Sequence, residues 1–233
     1  SGKIYITTAG THTSRVPAGA AMDLSQATNA TITNNSGGEI YTDVNNSDGD
    51  DPDVATIEMG ASSSITNSGQ IRDDSSQNFT MDFTGNNTTF TNNSGGSVTG
   101  GKVRISAGTT GITITNSGTM SSAATISTLE VRSDATGTIT NNAGGVISNS
   151  STGYAVQVGV SSTLTNSGTI RNTASTSNSA INFAGNNNTV ILKNQGKVIG
   201  LITAGAGTTG NKLQLQHGFG RAYFYETTGD LIL

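Results

Sequence analysis

The 233 residues contain no cysteine and no tryptophan, only two prolines and two histidines, and 11% charged residues. Without Cys there is no disulfide framework and no thiolate metal site. Hydrophobic residues make up 32% and aromatics 5%, too little to supply an ordinary globular core. The net charge is −4, and no basic run or interleaved aromatics occur, so the footprint of a nucleic-acid binder is missing. No apolar stretch approaches the roughly 18 residues of a membrane span, and no charged-then-apolar leader opens the chain. There is no Gly-x-Ser-x-Gly elbow and no glycine-rich phosphate loop with its Lys. His12 and His217 sit near opposite ends of the chain, too far apart to share a site in an elongated molecule. No cofactor is implied. Ser1-Gly2 reads as a cloning remnant.

What the chain has instead is glycine, 31 residues of it, and a repeat. An apolar residue, a polar pair containing Asn, one or two Gly and a second apolar residue recur seven times. The copies are Ile32–Ile40, Ile65–Ile71, Phe90–Val98, Ile114–Met120, Ile139–Ile147, Leu164–Ile170 and the looser Leu192–Val198. Their first residues are 33, 25, 24, 25, 25 and 28 positions apart. Polar, Gly-rich composition by itself fits a disordered chain. Periodic Ile, Val, Leu and Phe argue against that, because stacked coils need only a thin apolar interior fed by a few residues per turn.

Upstream of each copy lies a shorter alternation: Met22-Asp23-Leu24, Ile57-Glu58-Met59, Met81-Asp82-Phe83, Val103-Arg104-Ile105, Leu129-Glu130-Val131, Val156-Gln157-Val158 and Ile181-Asn182-Phe183. The central residue is charged or amide-bearing each time, as on a strand with one wet face. With the strand ending in Thr-Asn and the strand after the Gly corner, each coil holds about three short strands. The expected fold is all-β, a right-handed parallel β-helix of roughly 25 residues per coil. Eight or nine coils would stack to about 40 Å at one strand spacing each. Residues 1–21 lack the repeat and read as a capping or leading segment; residues 22–233 read as the solenoid. Leu213-Gln214-Leu215, Tyr223-Phe224-Tyr225 and Leu231-Ile232-Leu233 look like further strands, and the natural protein is expected to continue past Leu233.

In register, Asn34, Asn67, Asn92, Asn116, Asn141, Asn166 and Asn194 lie above one another and form a structural amide ladder. Thr31 and Thr33, Ser64 and Thr66, Thr89 and Thr91, Thr113 and Thr115, Thr138 and Thr140, and Thr163 and Thr165 flank an inward apolar residue in six coils. They form a double row of hydroxyls and methyls, a candidate binding face, although Thr is also a good exposed strand residue. The long first interval holds an acidic excursion with Asp43, Asp48, Asp50, Asp51 and Asp53. Its spacing fits neither an EF-hand nor a calcium-binding nonapeptide, so a solvated loop is preferred to a calcium site and no metal is expected. Asp23, Glu58, Asp82, Arg104 and Glu130 stack on one outward face. That pattern suits charge compensation between strands; acid/base chemistry is the competing reading. No catalytic residue is assigned.

Ile114–Met120 and Leu164–Ile170 resemble the "TNSGTI" units of autotransporter passenger domains. The run from Gly185 through Gly196-Lys197-Val198-Ile199-Gly200 to Leu213 is similar to coils common towards the end of such passengers. The similarity covers most of residues 22–215. It implies a Gram-negative surface or secreted protein, carried through the outer membrane by a β-barrel elsewhere in the polypeptide. By that resemblance the chain is a non-enzymatic adhesin, autoaggregation surface or display stalk. Its partners are host-cell, sibling-cell or glycan surfaces, with self-association a further possibility, and neither nucleic acid nor a membrane span is involved. A polysaccharide-acting β-helix enzyme, a phage tailspike and an ice-binding Thr-x-Thr ladder are the alternatives.

Overall fold

The computed structural model describes residues 3–6, 22–42, 55–74, 79–216 and 231–232. They form a parallel β-solenoid of three sheets with eight, eight and nine strands, and no helix occurs among them. The first sheet runs from Met22–Leu24 to Leu201–Ala204 and holds the short alternations; the second runs from Thr31–Asn34 through Asn211–Gln216 to Leu231–Ile232 and holds the Thr-Asn strands. The third carries the strands after the corner, from Glu39–Thr42 to Lys197–Ile199, and Lys3–Ile6 pairs with Glu39–Thr42 at its edge. One coil supplies one strand to each sheet. Phe79–Phe83, Thr89–Asn92 and Ser97–Gly100, for example, stack under Lys102–Ile105, Ile112–Asn116 and Thr119–Ser122.

The alternation decides which side chains enter the triangle. Ile57, Met81, Val103, Leu129, Val156 and Ile181 form one buried column on the first sheet, and Met59, Phe83, Ile105, Val131, Val158 and Phe183 a second. Ile65, Phe90, Ile114, Ile139, Leu164 and Val190 come from the second sheet, and Ile40, Ile71, Val98, Met120, Ile147 and Ile170 from the third. Each such side chain taken fully from water contributes about 1.5–3 kcal/mol. Phe83 and Phe90 meet at 6.3 Å between ring centroids where the first and second sheets face each other. A chain with 32% hydrophobic residues therefore sustains a continuous core, because among the described residues Ile199 and Leu215 are the large hydrophobics left exposed.

The corner between the second and third sheets is held by side-chain amides. Nδ2 of Asn34 donates to Oδ1 of Asn67, and the same bond links Asn67 to Asn92, Asn92 to Asn116, Asn116 to Asn141 and Asn141 to Asn166, each at 2.8 Å. All six Asn are buried. The Gly after each corner is packed so closely that a Cβ on Gly96 would sit 2.5 Å from Asn92 Oδ1 and 2.6 Å from the Asn67 carbonyl. Gly95 beside it has φ +85° and open space around it, so its requirement is conformational instead.

Asn194 does not join this column. Asn166 is in register with Leu192, which is buried, while Asn194 lies exposed in the following turn and Asn166 Nδ2 donates to the Lys197 carbonyl at 3.1 Å. The reason is the run Val190-Ile191-Leu192. Val190 stacks on Leu164 and Leu192 fills the Asn position with an apolar side chain, so the last Asn-Gln-Gly sequence imitates the corner two residues late. The acidic residues Asp43, Asp48, Asp50, Asp51 and Asp53, together with His12, His217 and the Tyr223-Phe224-Tyr225 segment, lie outside the described residues.

Candidate functional site

The outer face of the second sheet is built by strand alternation alone. Thr31, Ser64, Thr89, Thr113, Thr138, Thr163 and Thr189 are in register in one row, and Thr33, Thr66, Thr91, Thr115, Thr140 and Thr165 in a second. Thr31, Thr33, Thr89, Thr113 and Thr138 are exposed; Thr66, Thr91, Thr115, Thr140, Thr163 and Thr165 are half-buried by their neighbours. The rows stand about 7 Å apart along a strand, with about 4.8 Å between coils. They stop where Ile191, Lys212 and Gln214 take over the same positions. Beside them a third outward row alternates Asn and Ser: Asn93 Nδ2 donates to Ser68 Oγ, and Asn142 Nδ2 to Ser117 Oγ, both at 2.9 Å. The result is a regular lattice of small polar groups about six coils long.

The charged stripe on the outer face of the first sheet is chemically different. Arg104 donates to Asp82 through Nε at 3.2 Å and through Nη2 at 2.6 Å, and Ser106 Oγ donates to the same carboxylate at 2.7 Å. Lys102 Nζ pairs with Glu130 at 2.6 Å, and Gln157 donates to the other oxygen of Glu130 at 3.2 Å. Both cations lie against the Phe79 ring, Arg104 at 3.7 Å and Lys102 at 5.0 Å from its centroid. Side-chain exposure is 3% for Asp82 and 12–13% for Arg104, Lys102 and Glu130. Carboxylates held this way are committed to fixed cations and hydroxyls rather than presented to a substrate.

Lys102 and Phe79 escape a reading of alternation because of a β-bulge. Phe79 to Met81 spans two residues where Lys102 to Val103 spans one, so parity changes at the start of the Phe79 strand and brings Phe79 beside Lys102, which keeps its own outward place. A second set of corner amides is also missed. Asn149 Nδ2 donates to the carbonyls of Ile126 at 2.7 Å and Ala124 at 3.3 Å; Asn172 Nδ2 donates to those of Gly153 at 2.7 Å and Ser151 at 3.0 Å. Both stand two residues after an inward Ile, in Ile147-Ser148-Asn149 and Ile170-Arg171-Asn172, the spacing of the Ile-Thr-Asn corner. Loops of varied length disguise it.

On the third sheet a cleft of about 560 Å³ crosses several coils, with Gly100, Ser121, Ser122, Ser148 and Ser150 among its lining residues, Asp73 and Asp74 towards one end and Arg171 and Thr173 towards the other. Gly100-Gly101 turns between strands there without a loop, whereas Ala123 and Ala124, at the start of the loop in the next coil, also line the cleft. Arg72 pairs with Asp74 at 2.8 Å and stacks on Tyr41 at 4.3 Å from the ring centroid. Among the described residues no cluster of three or more His, Asp or Glu is placed to hold a metal ion, and no helix is long and apolar enough to cross a membrane.

Comparison with family models, with curated proteins and with solved structures found nothing that matches the chain.

Proposed function

We propose that the chain is a segment of a non-enzymatic bacterial surface or secreted passenger domain, acting as an adhesive face or display stalk exposed outside a Gram-negative outer membrane. The observation that carries this reading is the contrast between the two outer faces. Asp82 and Glu130 are neutralised by Arg104 and Lys102 beneath 3–13% exposure, while the second sheet offers in-register rows of Thr hydroxyls to solvent. Three parallel sheets support a stalk, since each coil pairs with the next through one strand in every sheet. The resemblance of the Thr-Asn-Ser-Gly units to autotransporter passengers supports export to the cell surface.

The test is surface display of the chain on a non-adherent bacterium, scored for settling, adhesion to epithelial cells and binding to a glycan array. Replacing exposed Thr89, Thr113 and Thr138 together by Lys should abolish the interaction while preserving the β-sheet circular dichroism. A polysaccharide-acting enzyme is the competing reading on the same fold. Reproducible glycan cleavage that disappears in Asp82→Ala and Glu130→Ala variants would overturn the adhesive assignment. The in-register Thr rows also favour testing ice directly, and thermal hysteresis at high protein concentration would move the function to that class.

A further inference from the structure

Local features of the solenoid return after 99 or 100 residues, four coils later. Residues with positive φ do so in six pairs: Ser62 at 56° and Ser161 at 47°, Asn87 at 57° and Asn187 at 59°, Gly95 at 85° and Gln195 at 71°, Gly100 at 100° and Gly200 at 116°, Gly108 at 72° and Gly207 at 78°, Gly111 at 72° and Gly210 at 69°. A non-Gly residue rarely takes such angles, so the agreement at Ser and Asn is not a by-product of β-structure. The bulge recurs too, at Phe79–Met81 and at Ser179–Ile181. So do the bonds that shape the turns. Ser62 N donates to the Asn86 carbonyl at 2.8 Å and Ser161 N to that of Asn186 at 2.9 Å. Thr110 N donates to Asn86 Oδ1 at 2.9 Å and Thr209 N to Asn186 Oδ1 at 2.8 Å.

The sequences under these features match. Gly60-Ala61-Ser62-Ser63-Ser64-Ile65-Thr66-Asn67-Ser68-Gly69 aligns with Gly159-Val160-Ser161-Ser162-Thr163-Leu164-Thr165-Asn166-Ser167-Gly168. Phe83-Thr84-Gly85-Asn86-Asn87 aligns with Phe183-Ala184-Gly185-Asn186-Asn187, and Ala107-Gly108-Thr109-Thr110-Gly111 with Ala206-Gly207-Thr208-Thr209-Gly210. The coil at Thr31–Gly38 has its counterpart at Thr138–Gly145, displaced by 107 instead of 99. The difference of eight lies between Thr42 and Ile57, where the acidic excursion stands, against the shorter link from Asn149 to Val156.

We infer that the solenoid is a tandem duplication of a four-coil unit, and that the acidic excursion is an eight-residue insertion in one copy. The copies part company as a block on the outer face of the first sheet. Glu58, Asp82 and Arg104 correspond to Gln157, Asn182 and Thr203, and where Arg104 donates to Asp82, Thr203 Oγ1 donates to Asn182 Oδ1 at 3.0 Å. Acids become their own amides and the base becomes a hydroxyl, so the contact survives the loss of charge. The charged stripe is therefore one surface on which the first unit differs from the second, as is the corner at Asn92, whose equivalent is Leu192.

Duplication makes the four-coil unit removable in register. Deleting residues 69–167 joins Ser68 to Gly168, restores Ile65-Thr66-Asn67-Ser68-Gly-Thr-Ile, and seats the coil of Ile181 on that of Ile57. Deleting residues 69–144 joins a similar corner but removes three coils and stacks unlike ones. The first variant is expected to keep the β-sheet circular dichroism and a cooperative thermal transition, and the second to melt at least 10 °C lower. Equal loss of structure in both, or greater stability of the three-coil deletion, would overturn the inference.

A substitution that needs no rejoining gives the second measure. Thr88 Oγ1 donates to the carbonyls of Gly60 and Gly85, and Asn188 Nδ2 to those of Gly159 and Gly185. Thr88→Asn and Asn188→Thr should each shift Tm by less than about 3 °C, whereas Ser63→Asn, from a non-equivalent coil, should lower it further. Intolerance of both exchanges, with Ser63→Asn tolerated, counts against duplication.

Discussion

Replacing Arg104 by Thr should cost far more than replacing Arg104 and Asp82 together by Thr and Asn. In the single variant the Asp82 carboxylate, 3% exposed, loses both guanidinium bonds and retains the Ser106 hydroxyl as a donor. An uncompensated buried charge of this kind costs about 3–5 kcal/mol. Asp82→Asn alone strips the guanidinium of its carboxylate but leaves it on the Phe79 ring, at about 1–3 kcal/mol. The double variant installs the pair already present at Asn182 and Thr203, so its loss should stay near the roughly 1 kcal/mol of a neutral hydrogen-bond exchange. The two single effects therefore sum to well above the double, by about 3 kcal/mol or more of favourable coupling. Urea unfolding of the four proteins at one ionic strength, followed by far-ultraviolet circular dichroism, measures the cycle. A double variant as unstable as the sum of its parts would refute the reasoning, because it would mean that Asp82 does not depend on Arg104 for its burial.

Two further outcomes follow from the corners. Asn116→Ala removes a rung at a fully buried site and leaves the amide of Asn92 and the Oδ1 of Asn141 each short of a partner, so stability should fall by about 2–4 kcal/mol; Asn194→Ala, exposed and outside the column, should change it by less than about 0.5 kcal/mol. Gly96→Ala drives a methyl into Asn92 and the Asn67 carbonyl and should destabilise by about 2 kcal/mol or more, whereas Gly95→Ala meets no atom and should cost only the roughly 1 kcal/mol of a left-handed Ala. Thermal unfolding monitored by circular dichroism separates both pairs.

Much of this fold was legible in the sequence because one physical signal set each level. Apolar alternation around Asp23, Glu58 and Asp82 marked strands with a single wet face, and the Asn-Gly corner marked where a coil turns. The interval between corners then gave the register that places Asn67 over Asn34 and Thr66 over Thr33. The reading slipped at Leu192, where three consecutive apolar residues fit either parity and a late Asn-Gln-Gly supplied a false corner. It also passed over Phe79, and with it the partner of Lys102, since a bulge of one residue in the Phe79 strand reverses which face that side chain meets and leaves no trace in composition. Asn149 and Asn172 were hidden for a different reason. They brace loops of unequal length, so nothing around them repeats as the loops between Thr and Gly do.

The amide column has a direction. From Asn34 to Asn166 every side chain gives through nitrogen to the coil after it and accepts through oxygen from the coil before it, without a single reversal. Such a column begins with an acceptor and ends with a donor, so the two ends of a stack are chemically unlike. At its far end the last donor is satisfied by a backbone group, the Lys197 carbonyl, in place of a further amide.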